Sequence, residues 1–159
     1  MKTKLLMNLL IIFLMMIAFG CSEDENSIVD PVTSGTSENS TISLKGDINA
    51  SFDAVVGILN TGDAVTITLS EKEGNRGMLL SSSIAKTGTF NIPEQYTVSL
   101  TDVNTSTMYE LNSGSVKINS LSTTKGSGSI SGSGFAIDLT TMKTDSSRVI
   151  NITASFSVK

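Results

Sequence analysis

The sequence predicts an all-β fold, an antiparallel β-sandwich or a closed barrel of about eight or nine strands, preceded by a signal-peptide helix and a disordered linker. Apolar and polar residues alternate with period two from Thr41 onward, and no helical period replaces this pattern. Turn-forming residues recur at short intervals between the runs. The sandwich is slightly favoured because a ligand-holding barrel usually lines its mouth with more aromatic residues than this chain offers, with six Phe, two Tyr and no Trp.

The alternation can be followed strand by strand. Residues 150–158 form the clearest run, in which apolar side chains alternate with Asn, Thr and Ser. Residues 60–63, 71–77 and 123–129 predict turns, and Pro93 excludes a central-strand hydrogen bond at its position. Alternate side chains of a strand point to opposite faces, so each run predicts one buried face. The apolar residues that define the runs are Ile42, Leu44, Phe52, Ala54, Val56, Ile58, Val65, Ile67, Leu69, Tyr96, Val98, Leu100, Val116, Ile118, Ile130, Phe135, Ile137, Leu139, Ile150, Ile152, Ala154, Phe156 and Val158.

Composition excludes much of the usual chemistry of enzymes. Cys21 is the only cysteine and the chain has no His. An intramolecular disulfide or a thiolate metal site therefore cannot form, and the commonest general acid/base near neutral pH is missing. We expect no enzyme, no metal and no cofactor. The candidate carboxylates lie at strand ends or turns, where an Asp side chain commonly bonds its own backbone. They are Asp53, Asp63, Asp102 and Asp138.

The first 20 residues predict a cleaved signal peptide. Lys2 and Lys4 precede an apolar run, residues 5–19, which ends on Gly20-Cys21 and is followed by acids. A transmembrane helix is the alternative, but the run is borderline in length and ends on small residues.

Ala18-Phe19-Gly20-Cys21 resembles the lipobox of bacterial lipoproteins, although Leu is usual at the place of Ala18 and a small residue at that of Phe19. The resemblance implies cleavage between Gly20 and Cys21 and acylation of the Cys21 thiol. Two or more acyl chains would anchor the protein stably in a membrane. Cleavage would leave nine basic and fifteen acidic residues, a net charge of −6. Such an acidic chain is a poor partner for nucleic acid.

Residues 21–40 predict a flexible tether, because they are rich in Ser, Thr and acids and poor in apolar groups. The tetrapeptide Ser22-Glu23-Asp24-Glu25 resembles the acidic export signal of surface-exposed Bacteroidetes lipoproteins. That resemblance implies a lipid-anchored place in the outer membrane, at the cell surface. The periplasmic face stays open as the alternative.

Residues 41–159 are expected to form a single β domain. The layout of residues 113–118, 128–137 and 152–156 resembles the C-terminal half of small β-rich Bacteroidetes lipoproteins of unknown function, with Ala154 where the closing strand usually has Gly. The resemblance implies a fold and a location but no activity.

Three functions remain open for this domain. The leading one is a non-enzymatic module that binds a protein or another component of the cell envelope. The second is a carrier of a small molecule or lipid, whose cavity would be lined by Phe52, Phe90, Phe135 and Phe156. The third is a hydrolase with two facing carboxylates. Residues 126–134 are Gly/Ser-rich but lack the spacing of a phosphate-binding loop.

Overall fold

The computed structural model of the chain describes residues 40–72 and 74–159. The leader, the lipobox with Gly20 and Cys21, the acidic residues 22–25 and most of the tether lie outside the described residues. Their assignments therefore stay predictions. Within the described part of the chain, no helix has the length and apolar character that crossing a membrane requires.

The described chain is all β, as the alternation predicts. Its nine strands agree with the expected number. They are β1 (Thr41–Gly46), β2 (Ala50–Asn60), β3 (Val65–Glu71), β4 (Arg76–Ser82), β5 (Gly88–Ile92), β6 (Thr97–Asp102), β7 (Thr107–Leu121), β8 (Gly126–Asp138) and β9 (Lys143–Val158).

Eight of the strands close into an antiparallel barrel and β5 is an extra strand. The sheet runs β7-β6-β4-β3-β2-β1-β9-β8, and β8 pairs back onto β7. The β7–β8 ladder extends from Thr107↔Asp138 to Leu121↔Gly126 and joins what would otherwise be two free edges. Of the two architectures that the sequence left open, the slightly favoured sandwich is therefore wrong and the barrel is right. Scarcity of aromatic residues was a poor guide, because this interior is filled mainly by aliphatic side chains.

Strand β7 explains the place of β5. The sequence suggested separate strands at residues 108–111 and 115–121, but they form one strand with irregularities near Asn112 and Asn119. The first half of β7 pairs with β6 and the second half with β5. Strand β5 thus continues the barrel wall past the start of β6.

The core lies inside the barrel and consists of the inward-facing residues of each strand. Ile42, Val56, Ile67, Leu80 and Ile152 are at most 1% exposed. Burying a side chain of this size contributes about 1.5–3 kcal/mol relative to leaving it in water. Tyr96 is buried with Val98 and Leu100, as the alternation predicts, and Tyr109 is buried as well, since neither tyrosine has any exposed surface.

The two ends of the barrel differ in what they carry. The chain enters the barrel at Ser40, whose Oγ accepts a hydrogen bond from the Ser157 N–H at 3.0 Å. The turns β1–β2, β3–β4, β6–β7 and β8–β9 all lie at the opposite end, which we call the far end. Most of the ionic contacts of the domain are found there.

Candidate binding surface

The outer wall formed by β5, β7, β8, β9 and β1 is lined with hydroxyl groups. We call it the serine face. The registers place serines 127, 129, 131 and 133 of β8 opposite Ser157, Ser155, Thr153 and Asn151 of β9. All members of the face are exposed or half-buried. They are Thr41, Ser43, Lys45, Thr89, Asn91, Ser113, Ser115, Lys117, Ser127, Ser129, Ser131, Ser133, Asn151, Thr153, Ser155 and Ser157.

The hydroxyls of this face contact one another across strands. Ser113 Oγ lies 2.9 Å from Ser133 Oγ, and Thr41 Oγ1 lies 3.2 Å from Ser155 Oγ. Each such pair satisfies one donor and leaves further acceptor positions open. The face therefore offers many hydroxyl donors and acceptors in fixed positions.

Charge is sparse on the serine face. Lys45 and Lys117 are the only ionisable residues among these sixteen, whereas Glu110 of β7 and the outward-facing Phe135 of β8 lie opposite each other where the wall continues toward the far end. The barrel as a whole is also close to neutral, because five of the acids that make the chain acidic precede residue 40. The predicted net charge of −6 is thus concentrated in the tether rather than on the barrel wall.

Strand β8 explains why serines occupy this face. Its sequence alternates Gly and Ser, and the barrel turns the glycines inward, where neighbouring strands come too close for a side chain. A Cβ on Gly128 would lie 2.3 Å from the Lys117 carbonyl oxygen and 2.7 Å from the Phe156 ring. The Phe156 ring fills the space over Gly128, and the serines remain outside.

An ionic cluster centred on Arg76 lies at the far end. Arg76 Nε donates to Asp102 Oδ2 at 3.0 Å, and Nη1 lies 3.4 Å from Glu71 Oε1. The guanidinium carbon also lies 5.9 Å from the centre of the Phe52 ring. Two carboxylates therefore do converge here, but the arginine is bound to both. Among the described residues, both carboxylates of this cluster are thus held in ion pairs with one guanidinium.

A second cluster, which we call the Arg148 clasp, joins Arg148, Asp47 and Tyr109. Arg148 Nε and Nη2 lie 3.0 Å and 2.8 Å from Asp47 Oδ2. The Tyr109 hydroxyl donates to the same oxygen and accepts from Arg148 Nη2 at 3.3 Å. The ring of Tyr109 lies in the core beside the small Ala136, and its hydroxyl reaches the far end.

The contacts of the clasp shift the protonation of its members. Hydrogen bonding from Arg148, and then from Tyr109, lowers the pKa of Asp47. Burial, and then the hydrogen bond to Asp47, raises the pKa of Tyr109 to about 12. At neutral pH the tyrosine is therefore a neutral donor and the aspartate an anion, which is the pairing that the geometry requires.

The predicted carboxylates do not form one site. Asp102 Oδ1 accepts from the Asn104 N–H, and Asp138 Oδ1 accepts from the Thr140 and Thr141 N–H groups, so both bond their own turns as expected. Asp53 lies on the outer face of β2 and Asp63 in the exposed β2–β3 turn. Among the described residues no group of acids is arranged to hold a metal ion.

The four phenylalanines of the carrier hypothesis do not share one lining. Phe90 and Phe156 are buried in the core, whereas Phe52 is half-buried under Arg76. Phe135 points to the outer side of β8, because its neighbours Gly134 and Ala136 take the inward positions.

Two features were missed from the sequence. The serine face was visible as alternating serines at 127–133 and 151–157, but polar positions of a strand are easily taken as ordinary solvent contacts. The Arg148 clasp has no local signal, since its members lie 39 to 101 positions apart along the chain.

Comparisons with family models, with curated proteins and with solved structures gave no match to this chain.

Proposed function

We propose that the protein is a lipid-anchored envelope lipoprotein whose barrel is a non-enzymatic binding module, and that the serine face is its contact surface. The observation behind this proposal is the depletion of charge on that face. The central part of a protein interface is typically depleted in charged residues, whereas ordinary protein surface is rich in them. The partner we envisage is an uncharged, polar protein or envelope component that matches the hydroxyls.

The interior gives independent support for binding on the outside. The aliphatic and aromatic core extends around the barrel, and Tyr96 and Tyr109 fill parts of it. The ionic groups at the far end bind one another. The serine face, by contrast, is a large and regular exposed surface whose hydroxyls keep acceptor positions open beyond their cross-strand contacts.

The face is tested by placing charge on it. In a chain beginning at Ser22, which lacks the anchor and is added to isolated cell envelopes, Ser129→Lys and Ser131→Lys together should abolish retention, because two desolvated charges would be introduced into the contact. The matched control is Thr66→Lys with Ser70→Lys, which lie on the outer side of β3. Equal retention of the two variants would refute the serine face as the contact surface.

Anchoring is proposed to depend on Cys21. The variant Cys21→Ala should move the protein from the membrane fraction to the soluble fraction, because acyl chains could no longer be attached. Retention in the membrane would refute the anchor. Protease treatment of intact cells then separates the two locations, since a surface-exposed barrel should be degraded and a periplasmic one should survive.

A small-molecule or lipid carrier is the alternative, and the closed barrel favours it because small barrels often hold a ligand. The dispersed positions of Phe52, Phe90, Phe135 and Phe156 speak against it. Native mass spectrometry decides between the two, because a carrier should retain a lipid or small molecule in stoichiometric amount.

A further inference from the structure

Strand β2 is much longer than the part of it that pairs with β1. The ladder between the two strands reaches Thr41↔Asp53 and covers only the first four residues of β2. The Ala54 N–H adds one further bond, to the Ser40 carbonyl oxygen at 2.8 Å. Among the strands that the structure describes, only β3 pairs with residues 55–59. We call the side of residues 55–59 that faces away from β3 the β2 edge.

The β2 edge is bounded at both ends by main-chain hydrogen bonds. At one end the Ser40 carbonyl accepts from the Ala54 N–H. At the other end the Thr123 carbonyl, in the β7–β8 turn, accepts from the Asn60 N–H at 3.1 Å. The β2 edge is therefore a gap of defined length between two occupied positions on the same side of one strand.

The main-chain groups that face this gap belong to buried residues. In an antiparallel strand the N–H and C=O groups of every second residue point to the same neighbour. The bonds at Ala54 and Asn60 therefore imply that Val56 and Ile58 direct their groups into the gap. These two residues are only 1% and 6% exposed. Because buried main-chain groups are nearly always hydrogen-bonded, the gap should hold a further stretch of main chain.

The chain itself supplies a stretch of the required length at this place. Residues 35–39 directly precede Ser40, whose carbonyl already bonds β2. Continuing the register of the β1–β2 ladder places residue 39 opposite residue 55 and residue 35 opposite residue 59. The segment therefore matches the β2 edge residue for residue, and it would end where the β7–β8 turn takes over.

The one charged side chain of this segment also has a partner of opposite sign. Glu38 is the only ionisable residue among residues 35–39. Extending the β1–β9 register by three positions from Thr41↔Ser155 places Glu38 opposite Val158, next to Lys159. Side chains of opposite charge on neighbouring strands attract each other, so this placement favours the same register.

We infer that residues 35–39 continue β1 and pair with the β2 edge. Glu38 then exchanges main-chain hydrogen bonds with Val56, and Thr36 exchanges them with Ile58. The tether between the proposed anchor and the barrel is accordingly residues 21–34. The inference is independent of what the serine face binds.

Disulfide formation in the full-length chain, in its membrane, tests the register. Gly35→Cys is combined with Leu59→Cys, which the inference places directly opposite on the outer face, within reach of a disulfide. The matched control is Gly35→Cys with Val55→Cys, because Val55 lies on the same face of β2 about 13 Å farther along. The two reporter positions are similarly exposed, at 52% for Leu59 and 46% for Val55. We expect the 35–59 disulfide to form several-fold faster than the 35–55 disulfide under mild oxidation.

A pair of proline substitutions tests the main-chain bonds. Glu38→Pro removes an N–H that would point at β2, whereas Ser37→Pro removes one that would point away from it. In the 35–59 reporter chain, Glu38→Pro should therefore slow disulfide formation several-fold, and Ser37→Pro should slow it much less. Equal slowing by the two prolines would contradict the register.

Two further measurements make the result specific. Variants with a single reporter cysteine measure any contribution of Cys21, and protease resistance reports whether each barrel is folded. The inference is overturned if folded protein forms the 35–59 and 35–55 disulfides at equal rates, or forms neither. Disulfide-linked dimers in place of the internal disulfide would also overturn it, because the β2 edge would then hold the segment of a second copy.

Discussion

The two halves of the barrel wall are filled in opposite ways. In β2, β3, β4 and β6 each strand supplies its own inward side chains, such as Val56, Ile67 and Leu80. In β7, β8 and β9 the central strand supplies glycines, and its neighbours fill the space above them, as Phe156 does over Gly128. In the first half every strand contributes large inward side chains, whereas in the second half β8 contributes mainly glycines between the large side chains of β7 and β9.

The largest expected loss of stability follows from substituting a glycine of β8, in the second half. A Cβ on Gly134 would lie 2.1 Å from the Glu110 carbonyl oxygen and 2.8 Å from Leu111 Cα. Because backbone atoms cannot move aside as a side chain can, Gly134→Ala should lower the free energy of unfolding by about 3 kcal/mol or more. Urea denaturation of a chain beginning at Ser22, followed by circular dichroism, measures it. Ser133→Ala, one residue away and outward, should change it by less than about 0.5 kcal/mol.

The second largest effect concerns the pH dependence of stability and arises at Tyr109 of β7, whose hydroxyl lies in the Arg148 clasp at the far end. Its pKa in the fold is about 12, above the ordinary value for tyrosine of about 10. The folded state therefore holds this proton more tightly, so its contribution to stability is full below pH 10 and is lost as the pH rises toward 12.

Urea midpoints measured across this pH range check the prediction. Tyr109→Phe should flatten the decline, and what remains would belong to Tyr96, whose pKa burial also raises. The absorbance of tyrosinate gives a direct readout, because the chain has two tyrosines and no tryptophan. Ionisation of both tyrosines at their ordinary pKa would contradict the burial and the clasp.

A smaller effect is expected in the side-chain-filled half. Ile67 is fully buried on β3, and Ile67→Val removes one methylene and leaves a small cavity. The free energy of unfolding should fall by about 0.5–1.5 kcal/mol. The contrast between the two halves holds if Gly134→Ala lowers the free energy of unfolding more than Ile67→Val does. The reverse order would contradict it.

The smallest effect is a gain in stability at a turn of the far end. Met142 in the β8–β9 turn has a φ of 55°, a left-handed conformation that costs a residue with a Cβ about 1–2 kcal/mol. Ser106 has the same left-handed conformation in the β6–β7 turn. It stands four residues after Asp102, just as Met142 stands four residues after Asp138.

Met142→Gly should therefore raise the free energy of unfolding by roughly 0.5 kcal/mol, since the greater freedom of unfolded glycine offsets part of the relief. Denaturation under the same conditions measures the change. A control at Thr140→Gly, in the same turn, should lower stability instead.

The sequence predicted the first half of the barrel better than the second. In β3 the alternation of Val65, Ile67 and Leu69 with polar residues identifies the buried face, and the structure buries these three. In β8 the larger residues Phe135 and Ile137 suggested the face that lines the core, but the inward positions belong to Gly134 and Ala136. Ile137 is buried all the same, outside the core cluster, and Phe135 is half-buried. A glycine has no side chain to show which way it points, so period-two reasoning fails there.

Contacts between residues far apart in the sequence were the second feature that could not be predicted. The choice of barrel over sandwich depends on β7–β8 pairing along the whole of two long strands, and no local pattern encodes that closure. The clasp is equally invisible, because Asp47 and Arg148 stand at the opposite ends of the domain sequence. Turn acids such as Asp102 and Asp138 were predictable, since their bonds are local.

The pairing of β1 with β9 has a consequence for how the chain folds. Thr41 and Ser155 are hydrogen-bonded neighbours although 114 positions separate them. Closing so long a loop is entropically costly, and domains dominated by distant pairings fold on the millisecond-to-second scale. Strand β1 can pair early with β2, its neighbour along the chain, but its other edge must wait for β9, the last strand. The barrel is therefore completed in one late event, and until then the chain exposes an open sheet that other polypeptides could join.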